Sequence, residues 1–262
     1  MEKKPLPLYV LAIAIALNSC NSYYKDVPYY QNLDRSHVSE EKITNYTPLR
    51  IQPGDILGIA VTSLNENQTN TNAEFNATSK NPAGQDNLAD GFRVDAAGAV
   101  HLPYVGAMKV AGLTPDEMAR DLTSGLESYF KKPIVHVRVL NFKISVFGDV
   151  LRPDIYTIQN QHVNINEALA LAGDLNITAK RQNVLLIRET GGKREYVPID
   201  LRNKDVFDSP YYYLKNNDMI YVEPDKTKYA TVDPGYRTTT LAISAISAAA
   251  SIIVSLLLLR KY

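Results

Sequence analysis

The chain has 262 residues, with 28 basic and 28 acidic side chains, so its net charge is zero and no basic field for nucleic acid is present. One cysteine excludes an internal disulfide, and 17 tyrosines without a tryptophan suit a strand-rich protein. His37, His101, His136 and His162 lie far apart, and no phosphate-cradling glycine loop, nucleophile elbow or HExxH helix occurs, so no metal, cofactor or catalytic residue is expected and the chain reads as a non-enzyme.

Residues 1–19 have the layout of a secretory signal: Lys3 and Lys4, an apolar stretch from Leu6 to Leu17 interrupted by Pro7, then small and polar residues. Leu17-Asn18-Ser19-Cys20 resembles the lipobox of bacterial lipoproteins. That resemblance implies cleavage before Cys20 and lipid on its thiol, and Asn21 and Ser22 carry no aspartate signal for inner-membrane retention. Residues 20–46 are polar and tyrosine-dotted with no sustained period, so an extended arm is expected there.

Pro48 to Asp55 then read as a turn leading into a strand over Ile56 to Val61, and residues 65–88 as a long solvated loop. Gly91 to Gly106 read as short β stretches forming a hairpin around Asp- and Gly-bearing turns. Thr114, Pro115 and Glu117 form the start signal of a helix whose Met118, Leu122 and Leu126 share one buried face. Val135, Val137 and Val139 alternate with His136 and Arg138, the pattern of a half-buried strand. A second unit opens near Lys143 with two strands over Ile144–Val150 and Arg152–Ile158. A short helix capped by Asn164 and Glu167 and ended by Gly173 follows, with later strands at Val184–Arg188 and Met219–Val222. Strands around one short helix suggest a β-grasp-like domain. Asp55, Asp95 and Asp149 sit beside glycines, where aspartate serves turn geometry.

From Thr238 to Leu259 the chain carries no charge, enough for about 33 Å of helix against a hydrocarbon core of about 30 Å, with Arg237 and Arg260-Lys261 at its ends. A membrane-spanning helix is expected over 237–262. At about 100° per residue, Arg237, Thr240, Ser244, Ser247, Ser251 and Ser255 fall on one arc of about 80°, opposite Ile246, Ile253 and Leu257. The stripe can line a water-filled lumen, pack small residues against another helix, or bond back to its own backbone.

Leu49 to Val61 with its Pro-Gly-Asp turn, Phe92 to Gly106 and Val110 to Thr114 resemble the polysaccharide export domain of Wza-type outer-membrane translocons. Val146 to Val150 with Arg152-Pro153, followed by Glu167 to Gly173, resembles the soluble-ligand-binding β-grasp domain that follows it in that family. The blocks keep their order from Pro48 to Pro224. Two turns depart from the family pattern, Pro153-Asp154 for Pro-Gly and Gly173-Asp174 for a double glycine, and one β-grasp unit is evident where larger members have more.

The expected fold class is therefore α+β: a β-rich polysaccharide export domain at 47–142, one β-grasp-like domain at 143–226 and the C-terminal transmembrane helix. The resemblance implies an outer-membrane lipoprotein with periplasmic domains, a subunit of a homo-oligomer ring that exports capsular or extracellular polysaccharide. Its implied partners are the polysaccharide, membrane lipid and an inner-membrane co-polymerase or associated tyrosine kinase. The alternative is a membrane-anchored periplasmic glycan- or partner-binding module without a pore.

Overall fold

A computed structural model of the chain describes residues 26–63, 75, 91–160, 162–229 and 234–259. The first unit is a three-stranded sheet in the order β2-β1-β5, formed by β1 (Ile56–Thr62), β2 (Phe92–Arg93) and β5 (Ile134–Val139). Antiparallel pairing sets Leu57, Ile59 and Val61 opposite Val139, Val137 and Val135, so the alternating apolar residues of both strands face one core. A separate two-stranded ribbon joins β3 (Ala99–Leu102) to β4 (Gly106–Lys109). The hairpin read between Gly91 and Gly106 thus lies farther along the chain, because β2 pairs with β1 instead.

Helix α1 (Pro115–Leu126) closes the unit's core with Met118, Leu122 and Leu126, none of them solvent-exposed. Its start is a capping box: the Glu117 amide donates to Thr114 Oγ1 at 3.1 Å and the Thr114 amide donates to Glu117 Oε2 at 2.8 Å. Within the segment read as a solvated loop, the described residue is Phe75, which is buried against Phe92 and Tyr104.

The second unit is a mixed five-stranded sheet in the order β7-β6-β10-β8-β9. Its members are β6 (Lys143–Gly148), β7 (Asp154–Thr157), β8 (Ala179–Thr190), β9 (Lys193–Ile199) and β10 (Met219–Pro224), with helix α2 (Ile165–Leu171) between the two hairpins. The returning β10 runs parallel to β6 and antiparallel to β8, which is the connectivity of a β-grasp sheet. Gly148 is required at the end of β6: its φ is +100° and a Cβ there would stand 2.1 Å from the Val222 carbonyl oxygen. Asn164 caps α2 with the same reciprocal pair as α1, at 2.9 Å in each direction. After it, Gly173 and Asp174 both take positive φ, 77° and 70°, so the aspartate occupies a backbone conformation that suits glycine. Asp154 keeps an ordinary φ, and its position makes no such demand.

Buried apolar residues of both units form one contiguous cluster, from Ile51 and Leu57 through Phe142 to Ile220 and Val222. The described part of the arm, residues 26–46, docks on this body and is not an extended tether. The Tyr30 and Gln31 amides donate to the Leu201 and Arg202 carbonyls at 3.2 and 2.6 Å, and Asn45 Nδ2 donates to the Phe207 and Ser209 carbonyls at 2.6 and 2.7 Å.

The C-terminal segment is a helix, α3 (Pro234–Leu259), but among the described residues no helix is long and apolar enough to cross a membrane. The expected C-terminal transmembrane helix is corrected accordingly. The physical reason lies in the part of α3 whose side chains are described: between Thr238 and Ile252 the large apolar residues are Leu241, Ile243, Ile246 and Ile252, and all the others are Thr, Ser or Ala. Hydroxyls and methyl groups offer little apolar area per turn for burial in hydrocarbon.

Candidate functional site

The two units and the arm meet at a junction held by polar side chains. Asp55, 4% exposed in the turn before β1, accepts from the Gln52 amide at 2.8 Å and from Asn216 Nδ2 of the second unit at 3.1 Å. Burial pushes its carboxyl pKa up, against the lowering effect of those two bonds. Asn141, between the units, accepts from the Ile56 amide at 2.9 Å and donates to the Gly54 carbonyl at 3.2 Å. The β1 entry turn is therefore clamped onto the second unit, and the Pro-Gly-Asp turn does more than reverse the chain.

Behind β6, Asp149 is wholly buried. It accepts from Asn176 Nδ2 at 2.9 Å, Thr178 Oγ1 at 2.6 Å and Lys228 Nζ at 2.6 Å. Desolvation would raise its pKa, but the Lys228, Thr178 and Asn176 bonds together hold it below the ordinary value. A second buried carboxylate, Asp218, meets Arg188 through two bonds of 2.9 and 2.6 Å, while Arg188 also donates to the Tyr213 carbonyl at 3.1 Å. These charges brace loops and are closed to ligand.

Open space lies along the outer edge of β7 and over the junction. A cleft of about 490 Å³ is lined by Arg138, Lys143 and Tyr156 to Gln159. A wider one of about 690 Å³ shares Thr157 to Gln159 with it and continues to His162. A third, of about 180 Å³, shares His162 and reaches Arg50, Tyr213 and Lys215. Beside the last, aromatic rings run in succession from the arm onto the second unit: Tyr29, Tyr30, Phe207, Tyr212, Tyr213 and Tyr46, with centroid steps of 5.7, 4.8, 5.5, 5.1 and 5.2 Å. Tyr29 donates its hydroxyl to Asp174 Oδ1 at 2.5 Å, and burial followed by that carboxylate raises its pKa strongly. Periodicity carried no hint of these clefts, because their walls come from loops distant in sequence.

Of the residues singled out in the sequence, Cys20 lies outside the described residues, as do the side chains of Arg237 and Ser255. Thr240, Ser244, Ser247 and Ser251 are exposed on α3. The serine hydroxyls bond back to their own helix: Ser244 to the Thr240 carbonyl at 2.8 Å, Ser247 to Ser244 at 2.9 Å and Ser251 to Ser247 at 2.9 Å. The structure does not bring this stripe together with the clefts. Among the described residues no three His, Cys, Asp or Glu side chains group as metal ligands.

Residues 44–140 match the family described as polysaccharide biosynthesis/export protein. The chain is 31% identical over 191 residues to the EPS I polysaccharide export outer membrane protein EpsA of Ralstonia solanacearum, an alignment covering 71% of this chain and 50% of that relative. To the protein of the same name in Ralstonia nicotianae it is 30% identical over 182 residues, covering 68% of this chain and 48% of the relative. The chain thus spans about half the length of the curated relatives it matches. The matched segment holds the Pro-Gly-Asp turn, β1 to β5 and the capped helix α1, and on these grounds residues 44–140 belong to the polysaccharide export family that the sequence blocks resemble.

Proposed function

We propose that this chain is an outer-membrane lipoprotein subunit of an oligomeric translocon that exports capsular or extracellular polysaccharide. The observation that carries the reading is the similarity, over 71% of the chain, to a relative named as a polysaccharide export outer membrane protein. In this proposal Cys20 carries the lipid, residues 20–46 link it to the body, and residues 47–142 and 143–226 are the export and β-grasp domains. The stripe of Arg237, Thr240, Ser244, Ser247, Ser251 and Ser255 faces the polymer path of a homo-oligomer ring. An inner-membrane co-polymerase or its associated tyrosine kinase meets the assembly from below. The role is that of a conduit, with no bond made or broken by the protein.

Deleting the gene and complementing it tests this. Secreted polymer should vanish on deletion, return with the full chain, and stay low with Cys20→Ser, whose mature N-terminus should lack acyl chains by mass spectrometry. Undiminished secretion after deletion would remove the proposal. Single cysteines at Ser244, Ser247 and Ser251 should react with membrane-impermeant thiol reagents more readily than one at Ile246; the reverse order would remove the stripe assignment alone.

A further inference from the structure

The three clefts adjoin in series. The first and second share Thr157, Ile158 and Gln159, and the second and third share His162, so their linings follow one another from the outer edge of β7 across the junction to the arm, in the manner of one groove. A linear polymer, with many residues of one repeating kind, fits such a shape better than a compact small molecule does.

The charge of its walls is one-sided. Arg138 and Lys143 stand in the first cleft, Arg152 in the second, and Arg50 and Lys215 in the third. Among all the described lining residues the carboxylate is that of Glu167, and its Oε2 is occupied by the Asn164 amide at 2.9 Å in the cap of α2. No ion pair among the described residues uses Lys143, Arg152 or Lys215. Arg50 is shared with Glu117 at 3.7 Å on the exposed side of α1, and Arg152 donates to the Leu171 carbonyl at 3.2 Å, which leaves other guanidinium donors available. In a chain of zero net charge, a groove with this bias is a local field, not a property of overall composition.

Uncharged lining residues complete the site. Gln159 and Asn217 carry amides suited to hydroxyl groups, and half-buried Tyr156 and Tyr213 offer ring surface at the two ends. We propose that this groove binds an acidic glycan, one whose repeating sugars carry carboxylate groups, with Lys143, Arg152 and Lys215 as the charge-reading residues. The proposal rests on the polysaccharide export reading and adds the substrate class to it. Each surface cation contributes little on its own, and the affinity arises from several contacts made at once along the polymer. Such binding is weak at any one point and salt-sensitive, which lets a polymer advance through the groove.

The test uses the full chain in detergent, with fluorescently labelled hexagalacturonate as the acidic probe and maltohexaose as the neutral one. Hexagalacturonate should bind more tightly than maltohexaose. Its affinity should fall about 10-fold in Lys143→Gln/Arg152→Gln/Lys215→Gln and by a similar factor on raising salt to about 0.3 M. The milder Lys143→Gln/Lys215→Gln variant should give an intermediate loss with an unchanged unfolding midpoint. Unchanged hexagalacturonate affinity in both variants overturns the proposal, as does equal binding of the two probes. If the variants change the mass of the oligomer by light scattering and leave glycan affinity alone, the groove is a contact between copies and not a glycan site. Binding in vitro with secretion undiminished after gene deletion would sink the export reading and leave the groove standing; lost secretion with unaltered binding would do the opposite.

Discussion

Asp149 and Asp218 stabilise this fold through the donors that partner them. Asp149→Ala removes the acceptor shared by Asn176, Thr178 and Lys228; Asn176 keeps its bond to the Val150 carbonyl at 3.1 Å, and leaving a buried polar group unmet costs about 1 to 3 kcal/mol. A loss of about 2 kcal/mol or more is expected in urea unfolding at pH 7. Because the folded-state pKa of Asp149 is lowered, its contribution is fully present above the unfolded value of about 3.9 and disappears as pH falls through the lower folded value. The gap between wild type and variant should therefore close below about pH 4. Asp55 works in the other sense: its raised pKa penalises the ionised folded form, and that penalty is relieved as pH falls through the folded value. Arg188→Met leaves the Asp218 carboxylate buried without its cation, and breaking such a pair costs about 3 to 5 kcal/mol. A shift of the urea midpoint well below that scale would show that Asp218 finds water or another donor.

At the scale of elements, the two short caps and the docked arm set the predictions. Thr114→Ala removes the acceptor of the Glu117 amide at the start of α1 and should cost about 1 kcal/mol, read as a lower midpoint with an unchanged slope. The arm is sewn to the 200–213 segment by main-chain bonds, by Arg202 with Asp26 at 2.8 Å, by Lys204 with Glu41, and by the aromatic steps from Tyr30 through Phe207. In hydrogen exchange the Tyr30 and Gln31 amides should be protected, and Asn45→Ala, which frees two carbonyls, should lower that protection. Fast exchange at both amides in the wild-type protein would mean that the arm is undocked.

For the whole molecule, the contiguous core joins both units, so unfolding should be one cooperative transition rather than two. The described side chains of α3 are exposed, and Leu241, Ile243, Ile246 and Ile252 remain 60 to 70% accessible. A chain ending at Tyr229 should accordingly unfold with the same midpoint as the full chain, measured by circular dichroism. A large loss of stability on that truncation would show that α3 packs on the body.

Where a residue's role depends on its near neighbours in sequence, the chain could be read directly. Thr114 with Glu117 and Asn164 with Glu167 form their boxes within three residues, and Val135, Val137 and Val139 alternate because a strand has a period of two. The family was likewise legible, since its blocks are local turns and strands in a kept order. Strand β9 was not legible: its sequence KREYVPI is almost wholly exposed and contains a proline, so as an edge strand it carries no alternation to detect. Asp55 and Asp149 look like turn residues from sequence, and it is burial beside Asn216 and Lys228 that makes them structural anchors. The docked arm rests on contacts 145 to 176 residues apart, and the groove on loops from three segments. Periodicity reports only which face of an element is apolar; which distant cations come to line one channel is decided by how the sheets pack, and that was settled by the tertiary structure alone.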